Sequence, residues 1–149
     1  KEQMINSMKT VTKLSMIMNN LHNYIISSDF DFQSITNISI DPKNLEVKFE
    51  FSNDVTLKYL NNSYYEIANK IVDNLMKSLF GSNYYIDHEQ DNIDHNIIEY
   101  TICNNNNVIH DPDGTITFEM VHPNEITFSF DEFSLNCFKN MKNGCINTL

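Results

Sequence analysis

Residues 45–81 read LEVKFEFSNDVTLKYLNNSYYEIANKIVDNLMKSLFG, and how this stretch is read decides the fold. Leu45, Val47, Phe49 and Phe51 alternate with Glu46, Lys48, Glu50 and Ser52, and Val55, Leu57 and Tyr59 resume the alternation after Asn53 and Asp54. A period of two marks half-buried strands, apolar on one face and polar on the other. A three-residue loop, Ser52 to Asp54, keeps the faces matched by setting Phe51 opposite Val55, Phe49 opposite Leu57 and Val47 opposite Tyr59, so a hairpin is expected. Ser63 and Glu66 then form a capping-box pattern, in which each side chain takes a backbone amide the first helical turn leaves free. Ile67, Ala68, Ile71, Val72, Leu75 and Leu79 follow at helical spacing, and Gly81 stands where a left-handed cap is wanted. The spacing predicts a helix over 64–80 lying on the hairpin.

Working outward, Met4, Met8, Val11, Leu14, Met18, Leu21 and Ile25 form one stripe, which predicts a core-facing helix over 2–27. Its methionines equally suit an adaptable docking face. His22 lies on the apolar side of this helix, as a structural histidine. Ile35, Ile38 and Ile40 indicate a strand over 35–40, ended by the turn sequence Asp41-Pro42-Lys43-Asn44. Beyond Gly81, residues 82–94 read as a loop or frayed edge strand. Alternation then predicts strands near 96–103, 108–110, 115–121 and 125–130. A three-residue loop at His122-Pro123-Asn124 pairs Met120 with Ile126, Phe118 with Phe128 and Ile116 with Phe130. A short helix over 132–142 closes the chain. The order predicts one α+β domain spanning 1–149, a mainly antiparallel sheet of about six strands with two helices on one face.

The 149 residues, 41% of them hydrophobic, are enough for a core without metal or disulfides. Cys103, Cys137 and Cys145 are odd in number and lack a CxxC spacing, so the expectation is an intracellular, cytoplasmic protein with reduced thiols. No stretch has the length of a membrane-crossing helix, and membrane association is not expected. Arg and Trp are absent, Ala68 is the sole alanine, and Asn, Ile, Lys, Phe and Tyr dominate. Their AT-rich codons point to an AT-rich genome, such as that of a virus, a protozoan or a reduced bacterium.

The charge is unevenly placed. Residues 1–77 hold eight lysines against nine acids, whereas residues 78–138 hold eleven acids and no lysine. Glu99, Glu119 and Glu125 fall on the polar side of their strands beside Thr101, Thr115, Thr117, Thr127 and Ser129. An acidic, threonine-rich sheet face is expected there, with Asp111, Asp113, Asp131 and Glu132 adding to its field. Such a field repels phosphates and attracts basic protein surfaces, so the expected partner is another protein and not nucleic acid.

Ligand-type residues gather only at Asp87 to His95, where His88, Asp91 and His95 with His110 could hold a divalent metal. The spacing matches neither HExxH nor a facial triad, and a solvated acidic loop explains the same residues. Asp111-Pro112-Asp113-Gly114 fails as a calcium loop, because that register puts Ile109 first and Met120 last where carboxylates are required. The cysteines have no local activating pattern, and Gly81, Gly114 and Gly144 are isolated, so there is no phosphate loop. The expectation is a non-catalytic acidic interaction domain of inhibitor, adaptor or immunity type, without a cofactor. One alternative is a metal-dependent hydrolase built on the His/Asp cluster. The other is a homodimer: in outline the element order and acidity resemble acidic secretion chaperones, which implies an apolar groove for an extended segment.

Overall fold

The computed structural model describes residues 2–28, 35–52, 62–80, 84–92, 97–104, 114–121 and 124–137, and every structural statement below concerns these. Helix α1 spans Glu2–Ser27, strand β1 Ile35–Asp41 and strand β2 Glu46–Phe51. Helix α2 spans Asn62–Leu79. Strands β3 (Tyr84–Asn92), β4 (Ile97–Asn104), β5 (Gly114–Val121) and β6 (Glu125–Phe130) follow, then a one-turn helix α3 at Glu132–Asn136. The six strands make one sheet in the order β1-β2-β6-β5-β4-β3, antiparallel throughout. This is the expected α+β two-layer architecture.

Both sides of β2 are taken by strands other than its expected partner at 55–60. β1 lies on one side of β2 and β6 on the other, with Phe49 opposite both Ile38 and Ile126. Phe51, too, is held on both sides, opposite Ile35 and bonded through its N–H to the Asn124 carbonyl at 2.9 Å. Residues 53–61 lie outside the described residues.

The turn sequence at Asp41 explains why β1 wins. One Asp41 carboxylate oxygen accepts the N–H groups of Lys43 and Asn44 at 3.0 and 3.2 Å, and the other accepts Asn44 Nδ2 at 2.7 Å. That Asx-type turn fixes the reversal locally. Leu45 completes it at φ 57°, a left-handed conformation that costs a non-glycine residue on the order of 1 kcal/mol or more. The conformation is kept because the Leu45 carbonyl receives the Phe130 N–H at 2.9 Å and its side chain packs on the core.

The second hairpin forms in the expected register, Met120 with Ile126, Phe118 with Phe128 and Ile116 with Phe130. Residues 84–92, expected to be a loop or frayed edge strand, form a nine-residue edge strand paired with β4 on either side of a register shift between Ile86 and His88. An edge strand needs no continuous apolar pattern, and charge on it discourages pairing with other chains. Helix α2 begins at Asn62, before the expected Ser63 cap, and α3 stops at Asn136 with Cys137 as its C-cap, short of the expected residue 142. The strand expected at 108–110, Gly81 and residues 138–149 lie outside the described residues.

The core lies between the helices and one face of the sheet. Phe49 and Phe118 meet Phe128 edge-on, at centroid separations of 6.4 and 5.2 Å. Leu14, Ile17, Leu21 and Ile25 of α1 and Ile67, Ala68, Ile71, Val72 and Leu75 of α2 close over them. The expected α1 stripe is thus corrected in part. Among the side chains described, which begin at Lys9, Leu14 is the first buried, Ile17 takes the position expected for Met18, and Val11 remains 39% exposed; the side chains of Met4 and Met8 lie outside those described. The spacing 14, 17, 21, 25 stays on one line of a 3.6-residue helix, and Met18 sits one position off it, half-buried. No described helix is long and apolar enough to cross a membrane.

Candidate functional site

The face of the sheet turned away from the helices carries the polar half of each alternating strand. Its residues come together in rows set by the cross-strand register. One row runs Glu46, Ser129, Thr117, Glu99 across β2, β6, β5 and β4; the next runs Ser39, Lys48, Thr127, Glu119, Ile97 from β1 to β4. A third runs Asn37, Glu50, Glu125, Val121. Among the described side chains of these rows, Glu46, Glu50, Glu99, Glu119 and Glu125 are opposed by the single cation Lys48.

Two features make this face electrostatically unbalanced. Lys48 Nζ lies 3.7 Å from Glu46 Oε1, a loose and partly exposed pair that contributes about 1 kcal/mol at most. Glu50 and Glu125 stand directly opposite each other on neighbouring strands, where like charges destabilise the pairing. Short hydroxyls tether some of the carboxylates: Thr127 Oγ1 donates to Glu125 Oε2 at 2.9 Å and Ser129 Oγ to Glu46 Oε2 at 3.2 Å. Thr127 is itself buried, at 4% exposure, so the floor between the glutamates is hydroxyl and methyl with taller carboxylates around it.

The structure therefore brings Glu99, Glu119 and Glu125 onto one face and enlarges the set. The acidity expected from the second half of the chain is joined by Glu46 and Glu50 from the first half. Alternation already put these two on the polar side of β2, but the β2 to β6 pairing that seats them beside Ser129 and Glu125 joins segments about eighty residues apart. No local signal reports such a neighbour.

The remaining candidates divide. Asp131 serves the fold: its Oδ1 accepts the Ser134 N–H at 2.7 Å as N-cap of α3, and its Oδ2 accepts the Thr115 N–H at 3.1 Å. Gly114 lies beneath this cap, and a Cβ there would come within 3.1 Å of Ser134 N and 3.2 Å of Asp131 Oδ1. Glu132 is exposed in the first turn of α3, away from the sheet rows. Asp111, Asp113, His95 and His110 lie outside the described residues. The backbone register pairs His88 with Thr101 and Asp91 with Ile98 in β3. No group of three or more His, Cys, Asp or Glu that could hold a metal occurs among the described residues. His22 is half-buried on α1, and Cys103 and Cys137 are buried, while Cys145 lies outside the described residues.

A concave feature lies where α2 crosses β3 and β4. This groove of about 410 Å³ has Val72, Ile86 and Tyr100 in its walls, and the Tyr100 hydroxyl donates to Asn69 Oδ1 at 2.6 Å. Its charged residues are matched along α2, Glu66 with Lys70 at 3.4 Å and Asp73 with Lys77 at 3.0 Å. The groove is balanced where the open sheet face is not. Comparison of the chain with protein-family models, with curated proteins and with solved structures finds no match.

Proposed function

We propose that this chain is a non-catalytic interaction domain whose open sheet face binds a basic surface on another protein. The observation that carries the reading is the face itself, with five glutamates against one lysine among the described residues across β2, β6, β5 and β4. A cationic partner removes the cost of the Glu50 and Glu125 opposition and finds hydroxyls able to donate or accept between the carboxylates. Electrostatic complementarity of this kind raises the association rate and suppresses wrong partners. The field is repulsive to phosphates, so the partner is a protein and not a nucleic acid. Three cysteines without a CxxC spacing suit a reducing, cytoplasmic setting.

The test is partner capture at low and at high salt with the wild-type chain and a variant carrying Glu99→Lys, Glu119→Lys and Glu125→Lys. A basic protein retained at low salt by the wild type, released by high salt and not retained by the variant supports the reading. Equal retention by the variant overturns it.

A further inference from the structure

The sheet has two free edges among the described residues, and they differ in character. β3 contains Asp87, Glu89 and Asp91, and its register with β4 shifts between Ile86 and His88. Acids and a mid-strand irregularity protect an edge against pairing with another chain. β1 has neither in its main run. Residues Ile35 to Ile40 carry no charge, the register shift falls at the Ile35 end, and Asn37 to Asp41 lie in unbroken register with β2. Thr36, Asn37 and Ser39 are exposed, and Ile35, Ile38 and Ile40 are only partly covered where they pack on the core.

We propose that β1 is a dimer edge, pairing antiparallel with β1 of a second copy across a two-fold axis at Ile38. The charge pattern selects this occupant. In a chain of net charge −10, self-association is possible only where the approaching segments bring no acids together. Pairing about Ile38 sets Asn37 against Ser39, and the segment that Asp41 of the other copy approaches, past the irregularity at Thr36, carries no acid, so no like charges are opposed. The same operation on β3 would bring two sets of three acids together. A basic partner, by contrast, gains nothing from a neutral edge. The β1 pairing covers the half-exposed isoleucines and satisfies the outward backbone groups of both strands.

The dimer has a consequence for the open face, although it stands whether or not that face docks a partner. With strands ~4.8 Å apart and a rise of ~3.3 Å per residue, the face of one copy projects roughly 500 Å². A standard interface covers about 800 Å² on each partner. Joining two six-stranded sheets edge to edge makes one continuous acidic face large enough for such an interface.

Sedimentation equilibrium of the full chain, with hydrogen exchange at high and low concentration, tests the proposal. The expected results are a mass of twice 17.4 kDa at high concentration and slowed exchange, on concentrating, of β1 amides but not β3 amides. Asn37→Lys with Ser39→Lys is expected to return the protein to a monomer. These lysines lower the net repulsion between copies and meet one another across the two-fold, position 37 against position 39, while within each copy they stand opposite Glu50 and Lys48, so loss of the dimer would report the edge and not general charge. A monomer at all concentrations, a dimer that survives the lysines, or protection located outside β1 overturns the proposal. Binding to the open face is read separately by the Glu99, Glu119 and Glu125 substitutions, which leave β1 untouched.

Discussion

The two faces of the sheet are built from the same strands and differ by one residue step, yet they obey different physics. On the helix side Val47, Phe49, Phe51, Ile116, Phe118, Ile126, Phe128 and Phe130 are buried against one another and against α1 and α2. On the open side Glu46, Glu50, Thr117, Glu119, Glu125 and Ser129 remain partly in water. Burial on the first face contributes stability in proportion to apolar area. The second face contributes little and contains a like-charge opposition that a purely structural surface would avoid. The difference separates what holds the molecule together from what it presents to others.

The largest effect is expected from Phe128→Ala on the buried face, which removes the ring meeting both Phe49 and Phe118. A loss of about 3 to 5 kcal/mol is expected in denaturant unfolding, enough to threaten folding of a domain this size. Asp131→Ala comes next, because it removes the N-cap of α3 and the acceptor for Thr115 N–H. It should cost about 1 kcal/mol in a thermal melt while leaving capture of a basic partner unchanged, since its carboxylate is engaged with backbone. Glu50→Gln should act in the opposite direction. Relieving its opposition to Glu125 is expected to stabilise the fold by about 0.2 to 1 kcal/mol while weakening partner capture. A variant that gains stability and loses binding is the signature of a surface kept for docking.

The smallest effect concerns pH. The hydrogen bond from Asn44 Nδ2, helped by the N–H groups of Asn44 and Lys43 and by the charge of Lys48, holds the Asp41 carboxyl below its usual value. A carboxyl depressed in the folded state lends stability above its unfolded pKa and loses it as pH falls through the folded one. Protection of the Lys43 and Asn44 amides, taken relative to the intrinsic exchange rate at each pH, should therefore stay constant through the mildly acidic range and fall only below the ordinary carboxylate range. Loosening of the turn near neutrality would contradict that account.

Legibility followed sequence distance. The β5 to β6 hairpin was readable to the residue because its loop length and its apolar alternation are local and agree. The β2 segment was readable as a strand but not in its partners. Alternation reports which face a residue takes, while the choice of β1 and β6 depends on the Asp41 turn and on a pairing across about eighty residues. β3 was hard to see because an edge strand can be polar and still pair along most of its inner side. The same limits applied to the site. Glu99, Glu119 and Glu125 were visible as polar-face acids, whereas their company with Glu46 and Glu50 is a product of topology. Asp131 looked like one more surface acid because a cap is recognisable only once its helix and the neighbouring strand are in place.

The most direct test of the central claim is a methyl-resolved NMR titration with a short oligolysine peptide as the basic probe. The open-face reading predicts that the threonine methyls of Thr101, Thr115, Thr117 and Thr127 shift together, saturate, and return when salt is raised. The isoleucine methyls of Ile116 and Ile126, one residue away on the helix side, should stay in place. Shifts centred instead on α2 near Glu66 and Asp73, or no shift at any salt, would contradict a docking role for the open face.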